Sequence, residues 1–333
     1  MSLVKEVGLK EIAYELGVSI NTVSRALRDC DDISEGMKKK VRTKAIELGY
    51  SPNGVEDYVK KNLKKSIAFV GPDFTNSYFT IMCNELIHYL DDSKYNFNLI
   101  ILNKNSLEEE DIKRCILQRV DGIISFLEVN QEIADIAKLY NIPLVAVGRQ
   151  TEVKNIDNIF TDDYEGGRLA GEYLFGEKLC KNPCFLTYKD CECRIRRQDG
   201  FISVANKYGV NVDIVEINDK TELKVEEFYD KYDSIFCFND ELAYLLLYNV
   251  AIISEEANEK FKDVHIVGYD ALAHRIRGLK RITSINSNYH AIAEFTMNLI
   301  QRRVDNRNKP ITNFERKMFD VSLYRRFGNR KNS

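Results

Sequence analysis

Long apolar runs are missing from this sequence. No stretch of about 18 consecutive apolar residues occurs, so no segment is predicted to span a membrane. The N-terminus has no basic start followed by an apolar stretch, so no secretory signal is predicted. Without such a signal, the eight cysteines fit a reducing cytosol in which thiols stay free. The sequence therefore predicts a cytoplasmic protein with no membrane partner.

Patterns that mark common enzyme and metal sites are also missing. The four histidines are scattered without an H-E-x-x-H pattern, and the sequence has neither a G-x-x-x-x-G-K-[ST] loop nor a G-x-G-x-x-G turn. No nucleophile and base stand at a recognisable spacing. These absences predict that the protein is not an enzyme and uses no metal or other cofactor.

Charge is divided unevenly along the 333 residues, a length that suggests two or three domains. Residues 1–65 hold 13 Lys/Arg and 10 Asp/Glu, whereas the remaining residues hold 35 and 41. A basic N-terminal part on an acidic body favours an anionic partner for the first part alone.

The stretch "LKEIAYELGVSINTVSRALRD" has the pattern of two short amphipathic helices. Apolar residues recur at helical spacing over Leu9–Leu16, and Gly17 supplies the backbone freedom that ends the first helix. Ser19 is a good N-cap for the second helix, and a third amphipathic helix is predicted to follow. Three short helices around one small core predict a helix-turn-helix domain over residues 7–52.

The second helix of such a domain faces the DNA major groove. Asn reads adenine and Arg reads guanine through paired hydrogen bonds, so Asn21 and Arg25 are predicted to contact bases. The alternative is a helical hairpin whose polar residues are solvated. The basic residues of the third helix fit either a solvated face or phosphate contacts: Lys38, Lys39, Lys40, Arg42 and Lys44.

From Ser66 onward, short apolar runs such as "SIAFVG", "PLVAVG" and "VHIVGY" alternate with helical patterns. This alternation predicts an α/β fold with parallel sheets flanked by helices. Eight such runs over about 200 residues suit two lobes better than one sheet. The first lobe is predicted to comprise residues 66–160 and 287–326, the second lobe residues 161–286, and the linker residues 53–65.

In open parallel sheets, ligands bind beyond the carboxyl ends of the strands. The residues that follow the predicted strands are rich in Asp, Asn, Arg and aromatic side chains: Phe74, Asn76, Tyr78, Phe79, Arg149, Asp162, Asp163, Lys189, Arg194, Arg196, Arg197, Asn239, Asp240 and Asp270. Carboxylates and amides bind hydroxyl groups, and aromatic faces cover apolar C–H surface, so this set suits a sugar. The alternative is that these are ordinary polar loop residues.

The combined motifs resemble the LacI/GalR family of bacterial transcription repressors. The stretch "LKEIAYELGVSINTVSRALR…ELGYSPN" is similar to that family's DNA-binding headpiece. The motifs "GGRLAGEYL", "RRQDGF", "CFNDELA" and "IVGYDA" are similar to its ligand-domain motifs, in matching order. The resemblance implies a homodimer that binds double-stranded operator DNA, with an effector-binding core similar to periplasmic sugar-binding proteins.

The resemblance also implies which residues make contacts. The implied DNA-contacting or supporting residues are Ser19, Ile20, Asn21, Thr22, Ser24, Arg25, Tyr50, Asn53 and Val59. The implied effector contacts are Tyr78, Phe79, Arg149, Asp162, Arg197, Asn239 and Asp270.

The sequence departs from the family in the hinge "GVEDYVKKNLKK". The family usually has a hinge helix whose Leu enters the minor groove, whereas Val59 stands at that position here. Glu56 and Asp57 would repel phosphates. A weaker hinge contact and a shifted register through Leu63 are both open. The loop "RDCDDIS" also replaces the family's usual small-residue loop.

The sequence thus predicts a ligand-controlled repressor of carbohydrate-metabolism genes, with a sugar or sugar-derived effector. No heptad repeat follows "SLYRRFGNR", so no tetramerising tail is predicted. One alternative is a sugar-binding protein without DNA regulation. Another is a thiol- or metal-responsive regulator, because four thiolates could hold zinc: Cys180, Cys184, Cys191 and Cys193. Their spacing lacks paired C-x2-C motifs, which disfavours a zinc site.

Overall fold

The structure, a computed structural model, describes residues 8–48, 50, 64–72, 76–189, 194–218, 223, 225, 228, 230–253, 264–309 and 311–326. The chain forms two compact units, Met1–Lys64 and Lys65–Ser333. No helix within the described ranges combines the length and apolar character needed to cross a bilayer.

The first unit contains three helices: α1 (Leu9–Leu16), α2 (Ile20–Leu27) and α3 (Glu35–Glu47). Gly17 ends α1 in the left-handed conformation with φ 62°, which costs glycine little. The Ser19 hydroxyl caps α2 by accepting a hydrogen bond of 3.0 Å from the backbone N–H of Thr22. The small core is formed by Ile12, Ala13, Val23, Ala26, Val41 and Ala45. The predicted three-helix arrangement is confirmed.

The second unit begins with alternating strands and helices. The elements are β1 (Lys65–Gly71), α4 (Ser77–His88), β2 (Tyr95–Ile101), α5 (Glu109–Leu117), β3 (Gly122–Ser125), α6 (Gln131–Leu139), β4 (Leu144–Gly148) and β5 (Asp157–Thr161).

The chain continues into a second set of alternating elements. These are α7 (Asp163–Gly171), a π-helical extension (Glu172–Glu177), β6 (Pro183–Tyr188), α8 (Arg194–Tyr208), β7 (Asp213–Ile217), β8 (Ser234–Cys237), α9 (Asp240–Ile253), β9 (His265–Tyr269), a 3₁₀ turn (Leu272–His274) and β10 (Thr283–Ser287). The last elements are α10 (Tyr289–Asp305), β11 (Arg316–Phe319) and β12 (Val321–Tyr324).

The described strands form two six-stranded sheets, one in each lobe. The first sheet has the order β11-β5-β4-β3-β1-β2, and the second has the order β12-β10-β9-β8-β6-β7. The paired strands run parallel, with the exception of β12, which is antiparallel to β10. The prediction of two lobes with parallel sheets and flanking helices is confirmed.

The predicted assignment of residues 287–326 to the first lobe is wrong at its end. One residue, Asp320, separates β11 in the first sheet from β12 in the second. Val321 and Leu323 of β12 pack against the core of the second lobe, so the apolar alternation of this strand is satisfied there. The chain therefore crosses between the lobes three times within the described residues, near Asp162, Asn288 and Asp320.

Each sheet of the body is covered on both faces, as parallel sheets require. In β1, Ile67 and Phe69 point into one core cluster, while Ala68 and Val70 point into the other. This period of two follows from the pleat of the strand. Helix α10 returns to the first lobe and packs against α4 and β3.

Two glycines allow α7 and α8 to touch through their backbones. A Cβ atom added at Gly167 would lie 2.0 Å from the carbonyl oxygen of Arg197, and one at Gly200 would lie 2.0 Å from that of Tyr164. Neither neighbouring atom can move independently, because both belong to helix backbone. The close approach therefore fixes the position of α8 against α7.

We expect Gly167→Ala to lower the free energy of unfolding by about 1–3 kcal/mol, since the new methyl group must push α8 away. Urea unfolding followed by circular dichroism measures the loss. Gly36→Ala is the matched control, because its methyl group meets no atom within 4 Å and α3 gains a better helix former. Equal stability of Gly167→Ala and wild type would contradict the close packing.

Candidate functional site

Helix α2 buries one side and exposes the other. Val23 and Ala26 are fully buried in the first unit, whereas Ile20 and Asn21 are exposed and Arg25 is partly exposed. The exposed side therefore carries an apolar, an amide and a guanidinium side chain together. This composition can read base edges in a major groove.

The N-terminal turn of α2 is held by a hydroxyl pair. The side-chain oxygens of Ser19 and Thr22 lie 2.8 Å apart, and the Ser19 hydroxyl also accepts from the Thr22 N–H. Ser24 is partly exposed on the following turn. These contacts give Ser19 and Thr22 a structural role at the helix start, where backbone N–H groups suit a phosphate.

Arg25 is paired with an acidic residue of the following loop. Its Nη2 lies 2.7 Å from Oδ2 of Asp32, and its Nε donates to Oδ1 at 3.3 Å. The hydrogen bond and negative charge of Asp32 raise the pKa of Arg25. The same hydrogen bond lowers the pKa of Asp32 from its usual value. Both groups are therefore charged at neutral pH.

A second ion-pair network joins the end of α2 to α3. Asp29, in the left-handed region with φ 62°, accepts from Lys38 at 3.2 Å and Arg42 at 2.8 Å. The Lys38 side chain also contacts Glu35 and is only 7% exposed. The interpretation of Lys38 as a solvated residue is therefore wrong, because its ammonium group is paired within the domain. Phosphate contacts from the basic residues of α3 stay a prediction.

Tyr50 packs against the core of the first unit, and its backbone N–H donates to the carbonyl of Ala45 at 2.9 Å. It supports the end of α3 in this position. Asn53 and Val59, the other residues implied to face DNA, lie outside the described residues.

Arg197 lies in the first turn of α8, beyond the carboxyl end of β6, and is nearly buried. Its Nε donates to Asp163 Oδ1 at 3.0 Å, and its Nη1 donates to the Phe238 carbonyl at 2.6 Å. The guanidinium plane lies 3.5 Å above the ring centre of Tyr269, whose hydroxyl also donates to Asp163, at 2.8 Å. The aromatic face and the carboxylate together offset the burial of this cation.

Asp163 belongs to an acidic cluster with Asp240 and Asp270. All three are buried. Burial raises the pKa of Asp270, the charge of Arg197 lowers this pKa, and the charges of Asp240 and Asp163 raise it. The net result is a pKa well above the usual value for Asp270. No described residue donates a hydrogen bond to the Asp270 carboxylate.

A strained turn presents Asp270 after β9. Asp270 and Ala271 both have positive φ, 107° and 51°, which is costly for residues with a Cβ. The N–H groups of Asp270 and Ala271 donate to the Ile285 carbonyl at 2.8 Å and the Ser284 hydroxyl at 2.9 Å. These bonds hold the turn in its unusual shape.

Asp240 completes the support of this turn. One of its oxygens accepts from the Ser284 hydroxyl at 2.6 Å, and the other accepts from the Leu272 N–H at 2.7 Å. Burial raises the pKa of Asp240 to about 7. Asp240 therefore acts as a positioning residue beneath Asp270.

An aromatic cluster from Tyr78, Phe79, Phe126 and Tyr289 lies at the corresponding end of the first lobe. The ring of Tyr78 lies 5.2 Å from Phe79 and 5.4 Å from Tyr289. Tyr289 also contacts the second lobe, because its hydroxyl donates to the Asp270 carbonyl at 3.1 Å. One tyrosine thus connects the aromatic cluster to the acidic cluster.

The remaining predicted effector residues have structural partners of their own. Asp162 caps α7 by accepting from the Glu165 N–H at 3.0 Å, and Asn239 accepts from the Leu242 N–H at 2.9 Å. The Arg149 guanidinium lies 3.9 Å from Glu128. The structure thus links Tyr78 and Phe79 to Asp270 through Tyr289, while Arg197 stacks on Tyr269, the residue before Asp270. Among the described residues, no side-chain hydrogen bond, ion pair or ring contact joins Arg149 to either cluster.

Sequence reasoning missed Phe126, Tyr269 and Tyr289. Phe126 and Tyr269 end apolar runs, so the pattern indicated strand core rather than site. Tyr289 follows β10 (Thr283–Ser287), a strand that the apolar runs considered in the sequence did not include, so the strand-end rule was not applied to it. An aromatic residue at each crossing is the signal that could have found it.

Two families match this chain. Residues 8–53 match bacterial regulatory proteins of the lacI family, and residues 67–308 match the periplasmic binding protein domain. The chain belongs to the LacI family. This LacI-family protein is a DNA-binding transcriptional regulator with an effector-binding domain, which confirms the predicted class.

Individual relatives agree along most of the LacI-family chain. The transcriptional repressor PurR of Photobacterium profundum is 26% identical over 333 residues, covering 94% of this chain and 95% of PurR. The sucrose operon repressor of Streptococcus mutans is 28% identical over 313 residues, covering 91% and 94%. A LacI-type regulator from Alkaliphilus metalliredigens, solved with D-xylulofuranose, has a TM-score of 0.65 at 24% identity, covering 78% and 97%.

The thiol-based alternative gains no support from the described cysteines of this LacI-family protein. Cys180 and Cys184 are buried, and burial raises the pKa of both thiols, which disfavours the thiolate that zinc binds. Cys191 and Cys193 lie outside the described residues. In the part of the chain that the structure describes, no group of three or more His, Cys, Asp or Glu residues could hold a metal ion.

We expect Asp240→Asn to flatten the pH dependence of stability. Because the folded-state pKa of about 7 exceeds the usual value of 3.8, the wild-type protein keeps a proton that the unfolded chain loses, and its stability falls as pH rises from about 4 to about 7. Asparagine removes the buried charge and can still accept from Leu272. The variant should therefore unfold at higher urea than wild type at pH 8.

Urea midpoints measured from pH 4.5 to 8 test this expectation. Glu132→Gln, on the exposed surface of α6, is the matched loss of a carboxylate and should leave the pH profile unchanged. Asp270, whose pKa is also raised, still contributes to the pH dependence in the variant. The slope of stability against pH is therefore expected to be smaller than in wild type but not zero. An identical slope in Asp240→Asn and wild type would show that Asp240 does not titrate as described.

Proposed function

We propose that this LacI-family regulator is a cytoplasmic, non-catalytic repressor of carbohydrate-metabolism genes. It binds operator DNA through α2 and is controlled by a sugar or sugar-derived effector between its lobes. The observation that carries the proposal is the contact from Tyr289 to Asp270, which brings an aromatic cluster of one lobe beside an acidic cluster of the other. A ligand that touches both clusters bridges the lobes.

The chemistry of the two clusters supports a sugar as effector. The Asp270 carboxylate offers hydrogen-bond acceptors, Arg197 offers donors, and Tyr78 and Phe79 offer apolar faces. A pyranose or furanose ring presents hydroxyl groups at its edge and C–H groups on its faces, so it matches both surfaces. The sucrose operon repressor and the D-xylulofuranose complex among the relatives are consistent with this ligand class.

Control follows from a shift between two lobe arrangements. The three chain crossings near Asp162, Asn288 and Asp320 act as the connections about which the lobes rotate. An effector that binds one arrangement better by about 1–3 kcal/mol changes its population and hence the affinity for operator. Whether the effector induces or corepresses is decided by which arrangement suits DNA.

A homodimer is supported by the edge of the first sheet. Strand β2 lies at this edge, and Leu99 and Ile101 on it are each 46% exposed. Ile87 of neighbouring α4 is exposed as well. An apolar edge needs cover, and a second copy of the chain provides it while placing two α2 helices for two half-sites.

We expect Arg25→Ala to weaken operator binding about tenfold or more and to relax the preference at one base pair in each half-site. The reason is the loss of a bidentate contact to guanine. Electrophoretic mobility shifts on operator and on random duplex DNA, at one salt concentration, measure both effects. Arg28→Ala, which removes an exposed cation of the same segment, is the control. Equal losses on both DNAs would show that Arg25 contacts only phosphate.

We expect Arg197→Ala and Asp270→Asn each to weaken effector affinity at least about tenfold, because each leaves a desolvated ligand group unmatched. A thermal-shift screen of sugars and sugar phosphates identifies the effector, and calorimetry measures its affinity. Arg194→Ala is the control on the same helix, since Arg194 pairs with Glu216 and lies outside both clusters. Unchanged affinity in both cluster variants would place the effector elsewhere.

A further inference from the structure

The guanidinium of Arg25 has two hydrogen-bonding edges, and Asp32 occupies one of them. A carboxylate can pair with the side edge, formed by Nε and Nη2, or with the end edge, formed by Nη1 and Nη2. Asp32 contacts Nη2 through Oδ2 at 2.7 Å and Nε through Oδ1 at 3.3 Å. The pair is therefore bidentate on the side edge.

The end edge of Arg25 keeps its hydrogen-bonding capacity. Nη1 carries two N–H groups and Nη2 carries a second one, and no described residue other than Asp32 accepts from Arg25. A guanine is read through its O6 and N7 by two parallel N–H groups. The end edge supplies those two groups without breaking the contact to Asp32.

We propose that Asp32 is a positioning residue that fixes Arg25 for reading guanine through its end edge. This inference rests on the proposed operator binding by α2. An arginine side chain has many rotamers, and ordering it on DNA reduces affinity. A carboxylate that holds the guanidinium plane before DNA arrives removes part of that loss, and it also disfavours poses in which Arg25 turns to a phosphate.

Electrostatics alone predicts the opposite sign for removal of Asp32. A carboxylate near DNA repels phosphates, so losing it should strengthen binding to every sequence. Positioning predicts weaker binding to the guanine-containing operator and no such loss on random DNA. Asp31 provides the comparison, because it is an exposed neighbour for which no ion pair is described. Asp31→Asn changes the charge without touching Arg25.

The experiment begins with selection of binding sites by the full-length wild-type protein from a randomised duplex DNA library at low ionic strength. Affinities of wild type, Asp32→Asn, Asp32→Glu and Asp31→Asn are then measured on the selected duplex, on the same duplex with each guanine replaced in turn, and on random duplex. Circular dichroism melting confirms that each variant is folded.

Asp32→Asn should bind the selected duplex about three- to tenfold more weakly than wild type and lose its preference at the guanine read by Arg25. Asp32→Glu, which keeps the carboxylate, should recover part of the loss. Asp31→Asn should bind both duplexes as well as wild type or more tightly. In an Arg25→Ala background, Asp32→Asn should cause no further loss on the selected duplex.

Three results would overturn the inference. Stronger binding of Asp32→Asn to both duplexes, equal to that of Asp31→Asn, would leave only a charge effect. A loss on the selected duplex that persists in the Arg25→Ala background would mean that Asp32 acts through another group. Enrichment of no sequence by the wild-type protein would overturn the proposed operator binding itself, and the inference with it.

Discussion

The burial of the Arg197 guanidinium is the constraint on which the arrangement at the carboxyl ends of the second lobe's strands depends. A buried cation must be paired, and Arg197 is paired with Asp163 through a hydrogen bond of 3.0 Å and covered by the Tyr269 ring. Its position follows from the backbone contact between α7 and α8 at Gly167 and Gly200. Asp163 lies on α7 and Arg197 on α8, so the two glycines set the distance that the ion pair needs.

The same cation is paired with Asp163, one of the three buried carboxyl groups of the acidic cluster. Burial raises the pKa values of the other two, Asp240 and Asp270, and the charge of Arg197 offsets part of the rise at Asp270. Asp240 is compensated by hydrogen bonds to the turn after β9, so its burial serves to hold Asp270 in a strained backbone. Within the described residues, no hydrogen bond reaches the Asp270 carboxyl group, so the proposed effector would lower the desolvation cost of Asp270 if it brought donor groups.

Much of this arrangement could be predicted from periodicity and strand ends. Three helices, two lobes and the placement of Arg197 and Asp270 follow from local patterns that a single sequence displays. Tyr289 and β12 could not be predicted in this way, because their roles depend on which lobe the chain enters after a crossing. Asp320 illustrates the difficulty: one residue separates strands in different sheets, whereas the pattern "ERKMFDVSLYRR" is that of one continuous strand. The strand-end rule also gave Asp162 and Asn239 without showing that both cap helices.

The Arg25–Asp32 and Arg197–Asp163 pairs differ in burial, and therefore in what each pair contributes. Arg197 and Asp163 are almost inaccessible, so removing either leaves a buried charge, and the pair is inseparable from the packing around it. Arg25 and Asp32 are exposed, with side chains 41% and 54% accessible, and exposed ion pairs add little to stability. Orientation is then the property that such a pair can contribute, because two hydrogen bonds fix the plane of the guanidinium even where water screens its charge. The exposed pair lies on the surface proposed to meet DNA, and the buried pair lies where the lobes meet. Both pairs therefore fix the orientation of a guanidinium group, one at the surface and the other in the interior.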